Sequence, residues 1–259
     1  DQLKFIIILR TYDKNNCTFM RHIPNFITSL NLISGFTAVI LASKGDLSTA
    51  SWLILAAMIF DFLDGFSARI LKAYSAIGKE LDSLADIVSF GVAPAFLMHA
   101  LLSSALGAGS TGEIEAGSGL MFLAIAVPSI MPVCAGIRLA VFNIDTTQSV
   151  SFKGLPTPAN AIAVISVVLA ASVQNTGILQ WFTASPAALT GYTVILSLLM
   201  VSRIPLLSLK FHNLRFRGNE PRYILAASVI LSLAFFGLRS TPLIIPLYVI
   251  ISVLMRNRI

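Results

Sequence analysis

An all-α fold is what this sequence predicts, built as a polytopic integral membrane bundle of about eight transmembrane helices with both termini cytoplasmic. Three observations carry that expectation. Of 259 residues, 56% are hydrophobic and only 12% charged, with a mean hydropathy of +0.84. A soluble domain carries about 25% charged residues, so this chain has too few charges to cover a water-facing surface and too much apolar mass for disorder. Apolar runs recur along the chain at lengths near the roughly 20 residues that a helix needs to cross a bilayer. The basic residues, finally, segregate to alternate connections.

The elements follow from the polar punctuation. Residues 1–19, which include Asp13, Lys14, Asn15, Asn16 and Cys17, match neither a span nor a cleavable signal and are read as an upstream extension or a short cytoplasmic arm. From Met20 onward, eight spans are expected at 25–43, 48–72, 80–105, 118–143, 157–174, 187–203, 222–238 and 241–255. Pro128 and Pro132 interrupt the fourth, a kink tolerated in a bilayer where neighbours satisfy the freed backbone groups. Only Arg239, Ser240, Thr241 and Pro242 separate the last two.

With the N-terminus inside, Lys4, Arg10, Lys14, Arg21, Arg69, Lys72, Lys79, Arg138, Lys153, Arg203, Lys210, Arg215, Arg217, Arg222, Arg256 and Arg258 fall on the cytoplasmic side, and only Lys44 and Arg239 fall outside. Cytoplasmic loops are enriched in Lys and Arg, so the pattern supports this orientation and an even number of spans. The loop over 107–119 holds Glu113 and Glu115 and no base, as an outer loop should. The net charge of +6 is read as loop charge facing anionic lipid, not as a nucleic-acid surface. Cys17 and Cys134 are too far apart in sequence to suggest a disulfide framework or a cysteine metal site. Trp52 and Trp181 fall near outer span ends, where interfacial anchors sit. His22 and His212 lie in basic inner segments, and His99 lies near the outer end of the third span.

Most of the twelve carboxylates occupy loops or helix ends, but Asp61, Asp64, Asp82 and Asp86 adjoin apolar runs. An ionised carboxylate at membrane depth costs several kcal/mol unless it is paired, solvated or bound to a cation. Asp61 and Asp64 are three apart and Asp82 and Asp86 four apart, so each pair shares one helix face. A short cytoplasmic turn over 73–78 makes the two helices antiparallel and brings the faces together. Gly65 and Ala68 extend the first face and Gly78 the second, leaving room for a bulky ligand. Four carboxylates without nearby His or Cys suit a hard divalent cation, Mg²⁺ or Mn²⁺.

The run Asp61, Asp64-Gly65, Ala68-Arg69, Gly78, Asp82, Asp86 specifies eight positions in 26 residues and resembles the signature of the CDP-alcohol phosphotransferase family without departure. The resemblance implies a membrane enzyme in which an alcohol displaces CMP from a CDP-linked lipid. It implies that Asp61, Asp64 and Asp82 hold one or two metal ions at the diphosphate. Asp86 contributes at the metal site and acts as the base, and Gly65, Ala68, Arg69 and Gly78 line the CDP-lipid site. Elementary chemistry agrees, because metal ions neutralise diphosphate charge while a carboxylate accepts the proton of the attacking hydroxyl. It further implies a six-helix catalytic domain over 20–203, a basic cytoplasmic loop with two additional helices over 204–259, a homodimer, and a cell (inner, cytoplasmic) membrane location with the active site facing the cytoplasm.

Further similarity, in Pro24-Asn25-Phe26-Ile27-Thr28 with Asn31 and Gly35, in Arg138-Leu139-Ala140-Val141-Phe142-Asn143 and in Phe152-Lys153-Gly154-Leu155-Pro156-Thr157-Pro158, points to the branch that joins CDP-diacylglycerol to L-serine. One departure stands at Val141, where a second arginine is expected. A zwitterionic acceptor needs a cation for its carboxylate, and Arg138 and Lys153 fall level with the aspartates. The first offers a planar fork and the second a point charge. Asn143 is a candidate for the amino group. Arg138 and Lys153 are equally readable as ordinary inner-side bases or as holders of the donor's phosphates. Asn31 either faces the nucleotide site or bonds a neighbouring helix.

Three other readings compete. A related transferase using glycerol 3-phosphate or inositol phosphate should show additional arginines around the pocket. An intramembrane prenyltransferase also holds a diphosphate with aspartates and Mg²⁺, but gives the Gly65, Ala68, Arg69 and Gly78 pattern no role. A cation transporter or channel predicts ion flux without nucleotide and leaves the eight-position match unexplained.

Overall fold

The computed structural model describes residues 2–107, 119–144, 152–173, 177–207 and 220–254, with side chains from 22 onward except those of 152, 153, 205 and 221. The expectations for Glu113, Glu115, Lys210, His212, Arg215, Arg217, Arg256 and Arg258, and for the side chains of Lys4, Arg10, Lys14, Cys17, Arg21 and Lys153, lie outside these residues.

Within them the chain is helical throughout, apart from one pair of two-residue strands. In chain order the helices are α1 (Gln2–Ser43), α2 (Leu47–Ile70), α3 (Ala76–Asp86), α4 (Ala93–Ala105), α5 (Gly119–Ile144), α6 (Thr157–Val173), α7 (Gly177–Ala184), α8 (Pro186–Val201), α9 (Glu220–Phe236) and α10 (Ile244–Leu254). A π-helical turn, Ile87–Val92, joins α3 to α4, and a 3₁₀ turn, Gly237–Leu243, joins α9 to α10. Strands β1 (Phe152–Lys153) and β2 (Pro205–Leu206) pair antiparallel, with Phe152 opposite Leu206.

Four helical stretches among the described residues are long and apolar enough to cross a membrane: His22–Ser43, Ala76–Ala105, Gly119–Ile144 and Arg222–Leu254. There are five if the bent pair α6 and α7 is one span. This differs from the expectation of eight spans. α6 and α8 are each shorter than 18 residues, and the break expected near Arg239 is a 3₁₀ turn that keeps 220–254 helical. α1 also starts well before the expected boundary, because no glycine or proline precedes Pro24. Pro24 itself is accommodated inside α1.

The connections explain where helices stop. Asp46 caps α2, accepting the Thr49 N–H at 3.1 Å, and that backbone hydrogen bond holds its carboxyl below the usual carboxylate range. At the other end of α2, Lys72 adopts a left-handed φ of 50° in the reversal that leads to α3. Ser75 caps α3, its Oγ accepting the Gly78 N–H at 2.9 Å.

α6 is the most enclosed helix, with Ala161, Ala163, Val164, Ile165 and Val167 all buried. Large apolar side chains point outward elsewhere. Phe26, Ile33, Phe36 and Ile40 stand exposed on α1, and Phe122, Val133 and Ile137 on α5. Their positions along each helix make continuous apolar stripes, which are stable facing hydrocarbon and costly facing water.

The closest helix contact lies between α1 and the π turn. A Cβ at Gly35 would clash with Ser89 Oγ and sit 2.7 Å from Ser89 Cα, and Ser89 Oγ donates to the Asn31 carbonyl at 3.1 Å. Gly35→Ala is therefore expected to destabilise the protein by about 1–3 kcal/mol through overpacking. Gly136→Ala, where a Cβ meets nothing within 4 Å, is expected to be neutral or mildly stabilising. Thermal unfolding of the two variants in detergent checks both outcomes.

Candidate active site

The two acidic faces converge. Asp61 and Asp64 lie in the C-terminal part of α2 and Asp82 in the middle of α3, and the reversal through Lys72 and Ser75 folds one helix back on the other. One carboxylate oxygen from each of Asp61, Asp64 and Asp82 lies within 4.8 Å of the other two. Like charges that close repel strongly in a low dielectric. Asp64, only 5% exposed, accepts a hydrogen bond from Thr28 Oγ1 of α1 at 2.6 Å. Asp82 Oδ1 is buried with no hydrogen-bond partner among the described residues. Three convergent hard oxygen donors with one orphaned oxygen fit a divalent cation.

Asp86 is not part of this trio. It ends α3 one turn deeper and is 9% exposed, with Asn31 Nδ2 at 3.5 Å from its Oδ1, at the outer limit of a hydrogen bond. It stays within electrostatic range of Asp61, Asp82 and Asp64, so the fourth aspartate borders the same acidic site one turn below the trio. The π turn begins at Ile87, so the helix widens immediately after Asp86. π turns are often found at functional sites. Here the turn turns the Ser89 hydroxyl toward Asn31 and the Phe90 carbonyl toward Asn160 Nδ2, 3.3 Å away.

Beside the trio opens a cavity of about 240 Å³, lined by Pro24, Asn25, Thr28, Asp64, Gly65, Ala68, Arg69, Ala73, Tyr74, Ser75, Gly78, Lys79 and Asp82. Gly65, Ala68, Arg69 and Gly78 therefore share one concave surface with two of the aspartates. A Cβ at Gly65 would meet nothing within 4 Å, so its backbone is open to a ligand. At Gly78 a Cβ would lie 2.8 Å from Asn25 Oδ1, so only glycine lets α3 approach α1 there. The cavity is bordered by the N-terminus of α3, whose free N–H groups favour an anion, and by the cations of Arg69 and Lys79. A phosphate-bearing ligand would meet N–H groups, two cations and the carboxylate trio within one cleft.

The remaining candidates lie apart. Asn31 is fully buried and does not line the cavity, so of its two readings the structure favours the bond to a neighbouring helix. Arg138, on α5, is half-buried within electrostatic range of Asp86 and Tyr248, and its Nε has no hydrogen-bond partner among the described residues. Asn143 donates through Nδ2 to Ser83 Oγ at 2.8 Å, and its backbone carbonyl accepts from Lys79 Nζ at 3.3 Å. Asn143 thus fastens the end of α5 to α3. Lys153 has only its backbone described, in β1.

Several cavity and support residues were not singled out by their chemistry in the sequence. Thr28 and Asn25 are legible in retrospect, since 24, 25, 28 and 31 repeat at helical spacing along one face. Ser89, Asn160 and Tyr248 carry no local signal, because their roles depend on helices far away in sequence. His99 is a support on the opposite side, with its Nδ1 2.8 Å from the Ala124 carbonyl. Its ring also packs edge-on against Phe96.

Comparison with known proteins places this geometry. A family model described as CDP-alcohol phosphatidyltransferase matches residues 21–199. The chain is 34% identical over 183 residues to a CDP-diacylglycerol--serine O-phosphatidyltransferase of Helicobacter pylori strain J99, covering 70% of each chain. Relatives of the same name are 35% identical over 222 residues in Mycobacterium leprae strain TN, covering 83% of this chain and 65% of that one, and 34% identical over 193 residues in Bacillus subtilis strain 168, covering 74% and 94%. The matched region contains the three-aspartate cluster and every residue of the cavity, and the chain belongs to the CDP-alcohol phosphatidyltransferase family.

Proposed function

We propose that this chain is a membrane transferase that moves the phosphatidyl group of CDP-diacylglycerol to the hydroxyl of L-serine, giving phosphatidylserine and CMP. The observation that carries this reading is the meeting of Asp61, Asp64 and Asp82 at the edge of a cavity floored by Gly65, Ala68 and Gly78. The names of its relatives supply the acceptor.

Asp61, Asp64 and Asp82 would hold Mg²⁺ or Mn²⁺. Bound there, the ion supplies positive charge to the diphosphate oxygens and lowers the cost of releasing CMP. Arg69, Lys79 and the α3 N-terminus bind the diphosphate, and the open backbone at Gly65 lets the nucleotide lie close to α2. Thr28 orients Asp64 through its 2.6 Å hydrogen bond. Asp86 takes the proton of the serine hydroxyl, whose oxygen bonds to the lipid-bearing phosphorus as the bond to CMP breaks and CMP departs with its electron pair. Arg138, beside Asp86, provides the cation for the serine carboxylate. With serine and donor held in line, positioning and electrostatics supply most of the rate enhancement.

The proposed location is the cell membrane, with both termini and the site on the cytoplasmic side. Among the described residues Arg69, Lys72 and Lys79 lie at the end of α2 and α3 that carries the aspartates and Arg138 lies within electrostatic range of Asp86, while Lys44 lies at the opposite end of α2, which supports that orientation. Pairing of two copies is proposed on the family resemblance alone.

Three outcomes test the reading. Asp61→Asn, Asp64→Asn or Asp82→Asn should each abolish turnover and weaken divalent-ion binding, whereas Glu113→Gln in the acidic connection should do neither. Retained activity in Asp64→Asn would refute the metal site. Membranes given CDP-diacylglycerol should release CMP with serine; release with glycerol 3-phosphate and none with serine would reassign the acceptor. Gly65→Leu should occlude the cavity without strain, raising the donor KM about tenfold or more with an unchanged thermal midpoint. An unchanged donor KM would place the nucleotide elsewhere.

A further inference from the structure

The C-terminal helices α9 and α10 lie beyond the residues matched by the family model, yet α10 reaches the site. Its Thr241-proximal end is tied to the middle of α6, where Thr241 Oγ1 donates to the Ser166 carbonyl at 3.0 Å. Its other end closes on the segment that follows α8. Tyr248 Oη donates to the Leu207 carbonyl at 3.0 Å, and Ser252 Oγ accepts the Leu207 N–H at 3.2 Å. Two side chains four apart on one helix face thus take both backbone polar groups of one residue. Ser252 Oγ in turn donates to the Tyr248 carbonyl at 2.6 Å. All three residues are buried: Tyr248 is 5% exposed, Ser252 0% and Leu207 1%.

Leu207 belongs to a strap. Residues Pro205–Leu206 pair with Phe152–Lys153, the Gly154 N–H donates to the Ile204 carbonyl, and the Leu155 N–H to the Leu199 carbonyl, both at 2.9 Å. Gly154 holds a φ of 79° with Met200 and Ser202 carbonyl oxygens where a Cβ would stand, so this turn admits only glycine. The strap therefore carries the backbone of Lys153, and α10 fixes the strap. The same Tyr248 lies within electrostatic range of Arg138, which is itself within range of Asp86. Arg138 Nε is buried without a partner, so the guanidinium is placed by its surroundings and not by a salt bridge among the described residues.

We propose that α10 completes the acceptor side of the active site, with Tyr248 as a positioning residue that locks the Leu207 strap and, through it, the backbone of Lys153. The proposal rests on the transfer to a small acceptor alcohol argued above. Its distinguishing consequence is selectivity: the acceptor's side of the site should loosen while the carboxylate trio and the nucleotide cavity, on α2 and α3, stay as they are.

The test uses the full chain in detergent–lipid micelles. Tyr248→Phe removes one hydroxyl and keeps the ring, and it should raise the acceptor KM about tenfold and lower the thermal midpoint, since the buried Leu207 carbonyl loses its donor, while leaving the donor KM unchanged. Ser252→Ala should act in the same direction, and the double variant should be less than additive because both act through Leu207. Should Tyr248→Phe fail to fold, Ser252→Ala alone decides by the same acceptor-to-donor comparison. An unchanged acceptor KM, or equal changes in both KM values, overturns the proposal. Wild-type CMP release with serine is measured first. If the wild type uses another acceptor instead, the proposed function fails, and the variants are then compared with that acceptor.

Discussion

Placing four carboxylates in a bundle with this little charge is the constraint on which the structure depends. A lone ionised carboxylate in such surroundings is costly, and a cluster is costlier, because each member raises the energy of the others. The chain meets that cost locally and in layers. Thr28 donates to Asp64, Asn31 approaches Asp86, and Asp61, Asp64 and Asp82 crowd close enough for one cation to serve all three. Both donors come from α1, so the first helix is the scaffold against which α2 and α3 set their acidic faces.

Close helix approach follows from the same constraint. Short side chains such as Asp and Thr meet across an interface only if the backbones come near, and Gly35 and Gly78 permit this. Gly35 brings α1 onto the π turn, and Gly78 brings the start of α3 beside Asn25. The π turn then gives the backbone after Asp86 a second set of partners, Asn31 through Ser89 and Asn160 through Phe90. Asp86 is therefore held at a junction of α1, α3 and α6, and the trio at a junction of α1, α2 and α3. The two junctions adjoin, with Asp86 within electrostatic range of all three members of the trio.

Much of this was legible in the chain itself. Composition indicated a membrane bundle, and the spacing of Asp61, Asp64 and Asp82 predicted a convergence that the geometry contains. Gly65, Ala68, Arg69 and Gly78 were grouped by pattern, and all four line one cavity. The number of spans was less legible, since α6 and α8 fall short of spanning length and the region near Arg239 winds into a 3₁₀ turn instead of breaking. Asn31 was ambiguous because helical spacing says which face a residue occupies but not what lies opposite it. Asn143 was read as an acceptor ligand through its side-chain oxygen, and the structure adds a second task, since its Nδ2 donates to Ser83.

By itself, the sequence determined the class of solvent, the family signature, the helix faces that carry acid and the small residues that leave room beside them. These are local properties: hydropathy, periodicity of 3.6 residues and the absence of a Cβ all act within a turn or two. Only the tertiary structure decided that Asp86 sits one turn below the other three aspartates, that Asn31 approaches it, and that Tyr248 of α10 reaches Leu207. The physical reason is distance along the chain. Contacts between residues 41 to 110 positions apart depend on how helices cross and where a turn widens, and no local pattern encodes those crossings.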